Sequence, residues 1–351
     1  MIAIAPVCDQ YIPAGKAVEL EDVNYLLIHG LNDQDVSTVM GEKQYNLVRL
    51  SEAGNCFKST VLINGANHGQ FNTLWGRYDS SFPVGRVLDV HDLLAPGEQR
   101  DALCKLMKAF LDVTLTGDET ELPLFYDIAG YRVSLPDTAY LETYRDSSYT
   151  CWFDFDEQTN PGVSKDGRYH LEVMGAKAWT EKRRAVTGDA SGENCALAFH
   201  WGDDEEKDPD EDENKGGQTV SQESGCKVTI RTSGEDLSGR AFTFDAADMR
   251  ENADAENAVP VSCSVIFTDG NGHKAVADKK LMPSVCVQLY KPDALTGGYE
   301  YKHQFETVRV SPRDCEAEDG FDASRIAEIT IALPDTSGDI EIDGIGSCML
   351  R

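Results

Sequence analysis

Three side chains near the amino terminus have the types and the spacing that proton transfer requires, namely Asp33, Asp35 and His68. The two aspartates follow the apolar run 24–29, and the histidine follows the apolar run 59–64. In serine-type acyl transfer a histidine takes the proton of the nucleophile, while a buried carboxylate fixes the tautomer of that histidine and stabilises its charged form. Asp33 and His68, which are 68 − 33 = 35 residues apart, fit these two roles, with Asp35 as the alternative acid.

The pattern around these side chains predicts parallel strands joined by helices. Residues 1–5, 24–29 and 59–64 are apolar runs of the length expected for buried parallel strands. Helices are predicted over 39–53 and over 96–115, where apolar residues recur at helical spacing. This alternation is typical of an α/β sheet, which places ligands at the carboxyl ends of its strands. The candidate acid and base follow two such ends.

Two motifs resemble the C-terminal half of bacterial α/β-hydrolases of the esterase and dienelactone-hydrolase-like kind. Residues 29–36 read HGLNDQDV, similar to the HG-x-x-D-x-D-V acid loop of that family, and residues 65–79 read GANHGQFNTLWGRYD, similar to its GANH-x-QFNT-x-WG-x-x-D histidine loop. The resemblance covers about residues 1–120 and implies a partial α/β-hydrolase domain, with the last three strands of the parallel sheet and their helices. It also implies that Asp33 is the triad acid and His68 the general base.

No nucleophile elbow accompanies these motifs. An elbow reads G-x-S-x-G between a strand and a helix, and the 351 residues contain no such pattern. Residues 188–192, GDASG, have their serine one position late, and Cys8 lacks flanking glycines. In the family the elbow precedes the strand that residues 1–5 would form. The resemblance therefore implies that the nucleophilic serine lies upstream of Met1 or in another chain, and that this chain alone is inactive.

The remaining chain predicts an all-β domain. Residues 121–148 are acidic, contain two prolines and are predicted to be a linker. In 149–351 the apolar period is two, which predicts an antiparallel β-sandwich or jelly roll. The predicted strands are 149–155, 195–200, 226–231, 240–244, 261–267, 285–290, 303–310, 325–333 and 339–345. The last two resemble the closing strands of galactose-binding-like and carbohydrate-binding jelly rolls. The charged residues 203–213 are predicted to be a surface loop.

Composition argues against several classes of partner. A formal net charge of −29 argues against nucleic acid and anionic membrane surfaces, because both bind clustered lysine and arginine. The sequence has neither an apolar run of membrane-helix length nor a signal-peptide pattern, so the cytoplasm is the default expectation, with any leader upstream of Met1. Ten scattered cysteines indicate reduced thiols rather than disulfides or zinc ligands.

No cofactor and no metal is expected. Asp335, Asp339 and Asp343 follow one another at intervals of four residues and could supply oxygen ligands to calcium. Aspartates around a tight turn are more often solvated, so the simpler interpretation is that these carboxylates bind no ion.

Two functions from different classes follow from these patterns. The first is a fragment of a serine-type α/β-hydrolase acting on small-molecule carboxylic esters, in which Asp33 orients His68. The alternative is a non-catalytic binding protein whose β-sandwich recognises carbohydrate or a protein partner. Trp152, Trp179 and Trp201 are candidate sugar-stacking side chains, although core packing is the simpler interpretation for each. A third hypothesis is a domain completed by a separately encoded chain.

Overall fold

The protein is described by a computed structural model that is mostly β-strand. The described residues are 1–8, 18–131, 134–156, 160–184, 194–202, 225–251, 259–291, 299–334 and 337–350. The strands among them are β1 Ile2–Ile4, β2 Leu20–Glu21, β3 Tyr25–Gly30, β4 Val48–Arg49, β5 Phe57–Ile63, β6 Tyr140–Asp146, β7 Thr150–Phe153, β8 His170–Met174, β9 Ala178–Arg183, β10 Cys195–Trp201, β11 Lys227–Glu235, β12 Arg240–Asp248, β13 Val261–Asp269, β14 Lys274–Leu281, β15 Val285–Gln288, β16 Tyr299–Lys302, β17 Glu306–Val310, β18 Glu316–Ala317, β19 Ile326–Ala332 and β20 Gly338–Met349. The α-helices are α1 Gly41–Asn46, α2 Pro96–Leu111 and α3 Ile128–Tyr131.

The first part of the chain forms a four-stranded mixed sheet in the order β1-β3-β5-β6. β1, β3 and β5 run parallel, and β6 pairs antiparallel with β5. All residues of β3 are buried, because α2 and the 3₁₀ helix Glu119–Phe125 cover one face of the sheet and a second apolar cluster covers the other. The three predicted parallel strands are therefore present. Burial on both faces explains the continuous apolar sequences of β3 and β5. β1, also expected to be buried, is half-buried with Ile4 exposed.

One predicted helix is shorter than expected. In place of a helix over 39–53, the chain forms the six-residue α1 followed by β4, which pairs in parallel with β2. The backbone of 47–49 is taken into this pairing, since Leu47 O accepts from Leu20 N and Arg49 O accepts from Asp22 N. The predicted helix 96–115 is present as α2, continued by a π-helical turn over Asp112–Thr116.

Residues 121–148, predicted to be a linker, contain α3 and β6. Tyr140 and Tyr144 of β6 pack into the cluster on one face of the mixed sheet, and Leu141 packs into the cluster on the other. Residues 140–146 therefore form a strand rather than a linker, because their apolar side chains are buried on both faces of the sheet despite the acidic residues nearby. The division of the chain into domains at 1–120 and 149–351 stays a prediction.

The later part of the chain forms the predicted antiparallel β-sandwich. One sheet has the order β17-β12-β20-β10-β9 with β7 also on β20, and the other has the order β18-β14-β13-β19-β11-β8. One apolar core fills the space between them. Strands β8, β9 and β14 were not expected, because their sequences are largely polar and their residues are mostly exposed or half-buried. The predicted loop 203–213 lies outside the described residues.

The predicted strand 285–290 lies on the mixed sheet and not in the sandwich. β15 pairs with β16 as a separate hairpin. Val287 and Leu289 pack with Leu27 and Leu62 in the cluster on the face of the mixed sheet opposite α2. A segment from the later part of the chain thus completes the core of the first part.

In the part of the chain that the structure describes, no helix has both the length and the apolar character needed to cross a membrane. All ten cysteines fall within that part, and none forms a disulfide there.

Because Leu289 is buried against the mixed sheet, we expect Leu289→Ala to lower the free energy of unfolding by about 2–5 kcal/mol. The matched control is Leu115→Ala, at a leucine that is 77% exposed, with an expected change within about 0.5 kcal/mol. Urea denaturation followed by circular dichroism measures both. If the two variants lose equally little stability, the hairpin does not pack on the sheet.

Candidate functional site

The loops that carry Asp33 and His68 are held together at the carboxyl ends of β3 and β5. Gly30 and Ile63 end these strands as direct partners. A Cβ atom on Gly30 would lie 2.2 Å from the carbonyl oxygen of Ala66, so the close approach of the two loops requires glycine here. Asn32 then joins them, because its N–H donates to Ala66 O at 3.0 Å and its Oδ1 accepts from Gly65 N at 2.8 Å.

Asp33 is a buried carboxylate with a full set of donors. Its side chain is 1% exposed. Oδ1 accepts from the backbone N–H groups of Asp35, at 2.9 Å, and Val36, at 2.6 Å. Oδ2 lies 2.9 Å from His68 Nδ1. A carboxylate accepts at this contact, so the proton of a neutral His68 is placed on Nδ1 and the lone pair on Nε2.

His68 is set up to hold a proton. Its hydrogen bond with Asp33 raises the pKa of the imidazole, and partial burial opposes that rise. Its side chain stays 16% exposed, and its Nε2 lies 3.8 Å from Asp35 Oδ2. The ring of Trp75 stacks on the imidazole with centroids 5.5 Å apart. Nε2 is therefore the nitrogen that could exchange a proton with a reactant, while Asp33 stabilises the charged ring.

Asp35, the alternative acid, and His29, the first residue of the acid motif, take different positions. The Asp35 carboxylate is 59% exposed and faces Nε2 of His68, whereas Asp33 bonds to Nδ1. His29, at the end of β3, is 1% exposed, and its Nε2 donates to Val36 O at 3.1 Å. Burial lowers the pKa of His29, so this ring is a neutral packing group.

Asp79 organises the site, and the sequence interpretation gave it no role. It accepts hydrogen bonds from Gln34 N at 2.9 Å, His68 N at 3.1 Å, Gly69 N at 2.7 Å and Asn67 Nδ2 at 2.7 Å. Burial raises its pKa, and these backbone donors oppose the shift. The available signal was its position as the last residue of the histidine motif, 65–79.

Within the described residues, no serine, threonine or cysteine hydrogen-bonds to Nε2 of His68, and the neighbouring group is the Asp35 carboxylate. The GDASG segment, 188–192, lies outside those residues. The structure thus brings together an acid and a base, and the nucleophile stays unassigned.

The other candidate ligands are separated. Trp152 and Trp201 are buried in the sandwich core, at 3% and 1% exposure, whereas Trp179 on β9 is 43% exposed. Asp343 binds Arg184, and Asp335 is outside the described residues. The described part of the chain contains no group of three or more histidine, cysteine, aspartate or glutamate side chains arranged to hold a metal ion.

Comparison with known proteins finds distant structural likeness alone. No protein-family model matches the chain, and no curated protein matches it. Among solved structures, an exo-β-agarase is 13% identical with a TM-score of 0.36, covering 57% of this chain and 25% of that chain. The family 11 carbohydrate-binding module of a Clostridium thermocellum cellulase is 9% identical with a TM-score of 0.30, covering 57% and 95%. A family 30 carbohydrate-binding module is 12% identical with a TM-score of 0.30, covering 54% and 81%.

This chain spans a quarter of the agarase that it matches. At these TM-scores the likeness assigns neither a fold nor a function to the chain. The three comparisons give no support to an α/β-hydrolase half, so that resemblance remains a prediction from the two motifs.

We expect Asp33→Asn to lower the pKa of His68, because the carboxylate that stabilises the charged imidazole is lost. Asp35→Asn is the matched control. It should lower the pKa of His68 less, since the Asp35 carboxylate is 59% exposed and 3.8 Å from Nε2. Titration of the ring nitrogens by long-range ¹H–¹⁵N NMR measures both variants. An equal fall in the two variants would contradict a specific role for Asp33.

Proposed function

We propose that Asp33 and His68 are the acid and the general base of a serine-type hydrolase that cleaves carboxylic esters, with the nucleophile supplied by polypeptide outside these 351 residues. The observation that carries the proposal is the 2.9 Å contact between His68 Nδ1 and a buried Asp33 carboxylate at the carboxyl ends of two parallel strands. In such a reaction Nε2 takes the proton of the attacking hydroxyl and returns it to the leaving alcohol.

Two further features support this reading. The motifs that resemble the α/β-hydrolase acid and histidine loops lie at this site. Among the described strands, β1 is an edge strand of the mixed sheet, paired with β3 alone. Within the described residues this edge has no second partner, and the apolar side chains of Ile2 and Ile4 suit pairing with another strand.

We expect the 351-residue chain to hydrolyse p-nitrophenyl acetate no faster than buffer, because the nucleophile and the oxyanion hole carry most of the acceleration. A longer product of the same reading frame with a G-x-S-x-G segment should hydrolyse the ester. In that product Asp33→Asn should lower kcat by roughly 10⁴-fold, and the control Asp35→Asn should have a small effect.

Two results would refute the assignment. One is turnover by the 351-residue chain that disappears in His68→Ala, which would place the nucleophile inside it. The other is a longer product whose ester hydrolysis is unchanged by His68→Ala.

A second candidate function, recognition of carbohydrate by the β-sandwich, is favoured by Trp179. This side chain is 43% exposed on β9, and large exposed aromatic rings are common contact groups for sugars and other ligands.

If the β-sandwich recognises carbohydrate, we expect the full chain to bind an oligosaccharide on a glycan array and Trp179→Ala to abolish the signal. Trp75→Ala is the matched control, because Trp75 is 64% exposed but stacks on His68. Binding of no glycan by the unmodified chain, or equal binding by Trp179→Ala, would exclude Trp179 as a sugar platform.

A further inference from the structure

A cavity of about 280 Å³ lies between the mixed sheet and the β-sandwich. Its walls come from both parts of the chain, and they include Tyr45, Lys58, Arg145, Tyr149, Arg184, Asp245 and Asp343. Lys58 is the second residue of β5, so this cavity lies near the amino end of that strand. The Asp33–His68 pair lies at the carboxyl ends, and the two sites are therefore separate.

Three cations line this cavity. Lys58 is directly opposite Arg145 in the pairing of β5 with β6, an arrangement in which like charges repel. Arg184 is the third, and its side chain is 9% exposed. Arg145 Nη2 lies 3.0 Å from Asp245 Oδ2, and Arg184 Nη1 donates to Asp343 Oδ2 at 3.2 Å. Two of the carboxylates that line the cavity are thus paired with two of its three basic side chains.

The oxygens of these two carboxylates already have donors. Asp245 Oδ1 accepts from Thr307 Oγ1 at 2.6 Å, and its Oδ2 pairs with Arg145. Asp343 Oδ1 accepts from Gly344 N at 2.5 Å, and its Oδ2 accepts from Arg184. The wall therefore offers a ligand few free acceptors at these positions.

The unused hydrogen-bonding groups of the wall are donors. Arg184 Nε is buried and has no hydrogen-bond partner among the described residues, while its guanidinium stacks on the ring of Phe305 at 3.6 Å. Lys58 Nζ donates to Tyr45 O and Val48 O, both at 2.9 Å, which uses two of its three N–H groups. Lys58 and Arg184 both line the cavity, and their side chains are hydrogen-bond donors only, so a ligand with acceptor atoms suits this wall.

Two more carboxylates line the cavity and are occupied elsewhere. Asp154 pairs with Lys165 at 2.9 Å. Asp146 accepts from Ser148 N at 2.8 Å and from Tyr144 OH at 3.2 Å. Arg184 is paired with Asp343, whereas the two donor contacts of Lys58 Nζ go to backbone carbonyls, those of Tyr45 and Val48.

We propose that this cavity binds a small oxyanion, a carboxylate or a tetrahedral anion of the sulfate and phosphate type, through Arg184 and Lys58. Arginine and lysine donate charge-assisted hydrogen bonds to both kinds of anion. The volume is below that of sites for drug-sized ligands, which limits the ligand to a small molecule.

Protonation of the wall strengthens this binding below neutral pH. Burial lowers the pKa of Lys58 to about 7 and raises the pKa of Asp343 to about 7. As pH falls through 7, Lys58 gains its positive charge and Asp343 loses its negative charge, and both changes favour an anion. The other charged or titratable groups around these two are Glu42, Tyr45, Arg49, Arg145, Asp146, Tyr149, Cys151, Asp154, Arg184 and Asp245. Glu42, whose pKa burial raises to about 7, gains its proton in the same direction.

Calorimetric titration of the full chain with sulfate and with lactate at constant ionic strength tests the proposal. Both probes keep a fixed charge between pH 6 and pH 8, and their comparison separates a tetrahedral anion from a carboxylate. We expect saturable binding of at least one probe, tighter at pH 6 than at pH 8. Arg184→Gln and Lys58→Gln should each weaken it about tenfold or more.

Asp343→Asn distinguishes a binding role from a structural one, because removal of a negative charge should tighten anion binding and reduce its pH dependence. Asp154→Asn, at a carboxylate paired with Lys165, is the matched control with a small expected effect. No saturable binding of either probe up to 10 mM would overturn the proposal. The proposal would also be overturned if the folded Lys58→Gln variant bound the probe with the same affinity as the unmodified chain. This test does not require Arg184→Gln to fold.

Discussion

The buried guanidinium of Arg145 joins the mixed sheet to the β-sandwich, and the relative placement of the two layers depends on it. It donates to Tyr144 O at 2.8 Å within its own strand and to Gly344 O at 3.0 Å across the interface. It also pairs with Asp245 at 3.0 Å. A buried charge is tolerated only when its donors are satisfied in good geometry. These contacts therefore tie β6 of the mixed sheet to β12 and β20 of the sandwich.

That fixed interface also supports the candidate active site. Gln34 Nε2, in the acid loop, donates to Leu289 O at 2.8 Å, and the buried Lys302 donates to Ser37 O at 2.7 Å. Leu289 and Lys302 both belong to the hairpin region of the later chain. The loop that presents Asp33 is thus held partly by residues more than 250 positions away, so the position of the candidate acid depends on the whole molecule and not on the first part alone.

The sequence predicts local features well and long-range ones poorly. Continuous apolar runs identified β3 and β5, and period-two runs identified the inner strands of the sandwich, because each pattern reflects burial of that segment itself. The place of β6 depends on Tyr140 and Tyr144 meeting an apolar cluster built by distant helices, which no local pattern shows. Asp33 and His68 could be found from their motifs. The cavity could not, since Lys58 and Arg184 meet only through the packing of two layers.

The polar groups of the acid and histidine loops have separate roles. Some of them join the two loops, and this indicates what the Asp33–His68 hydrogen bond adds. Asp79 and Asn32 already tie the two loops together through backbone donors. Asp33 also has two backbone donors of its own, so its carboxylate is stabilised without the imidazole. A hydrogen bond to His68 is therefore not needed to build the loops. What it adds is a defined tautomer and a raised affinity for a proton at a partly exposed ring. Those are properties that general-base chemistry uses and loop architecture does not, which is why the geometry supports a chemical role for the pair.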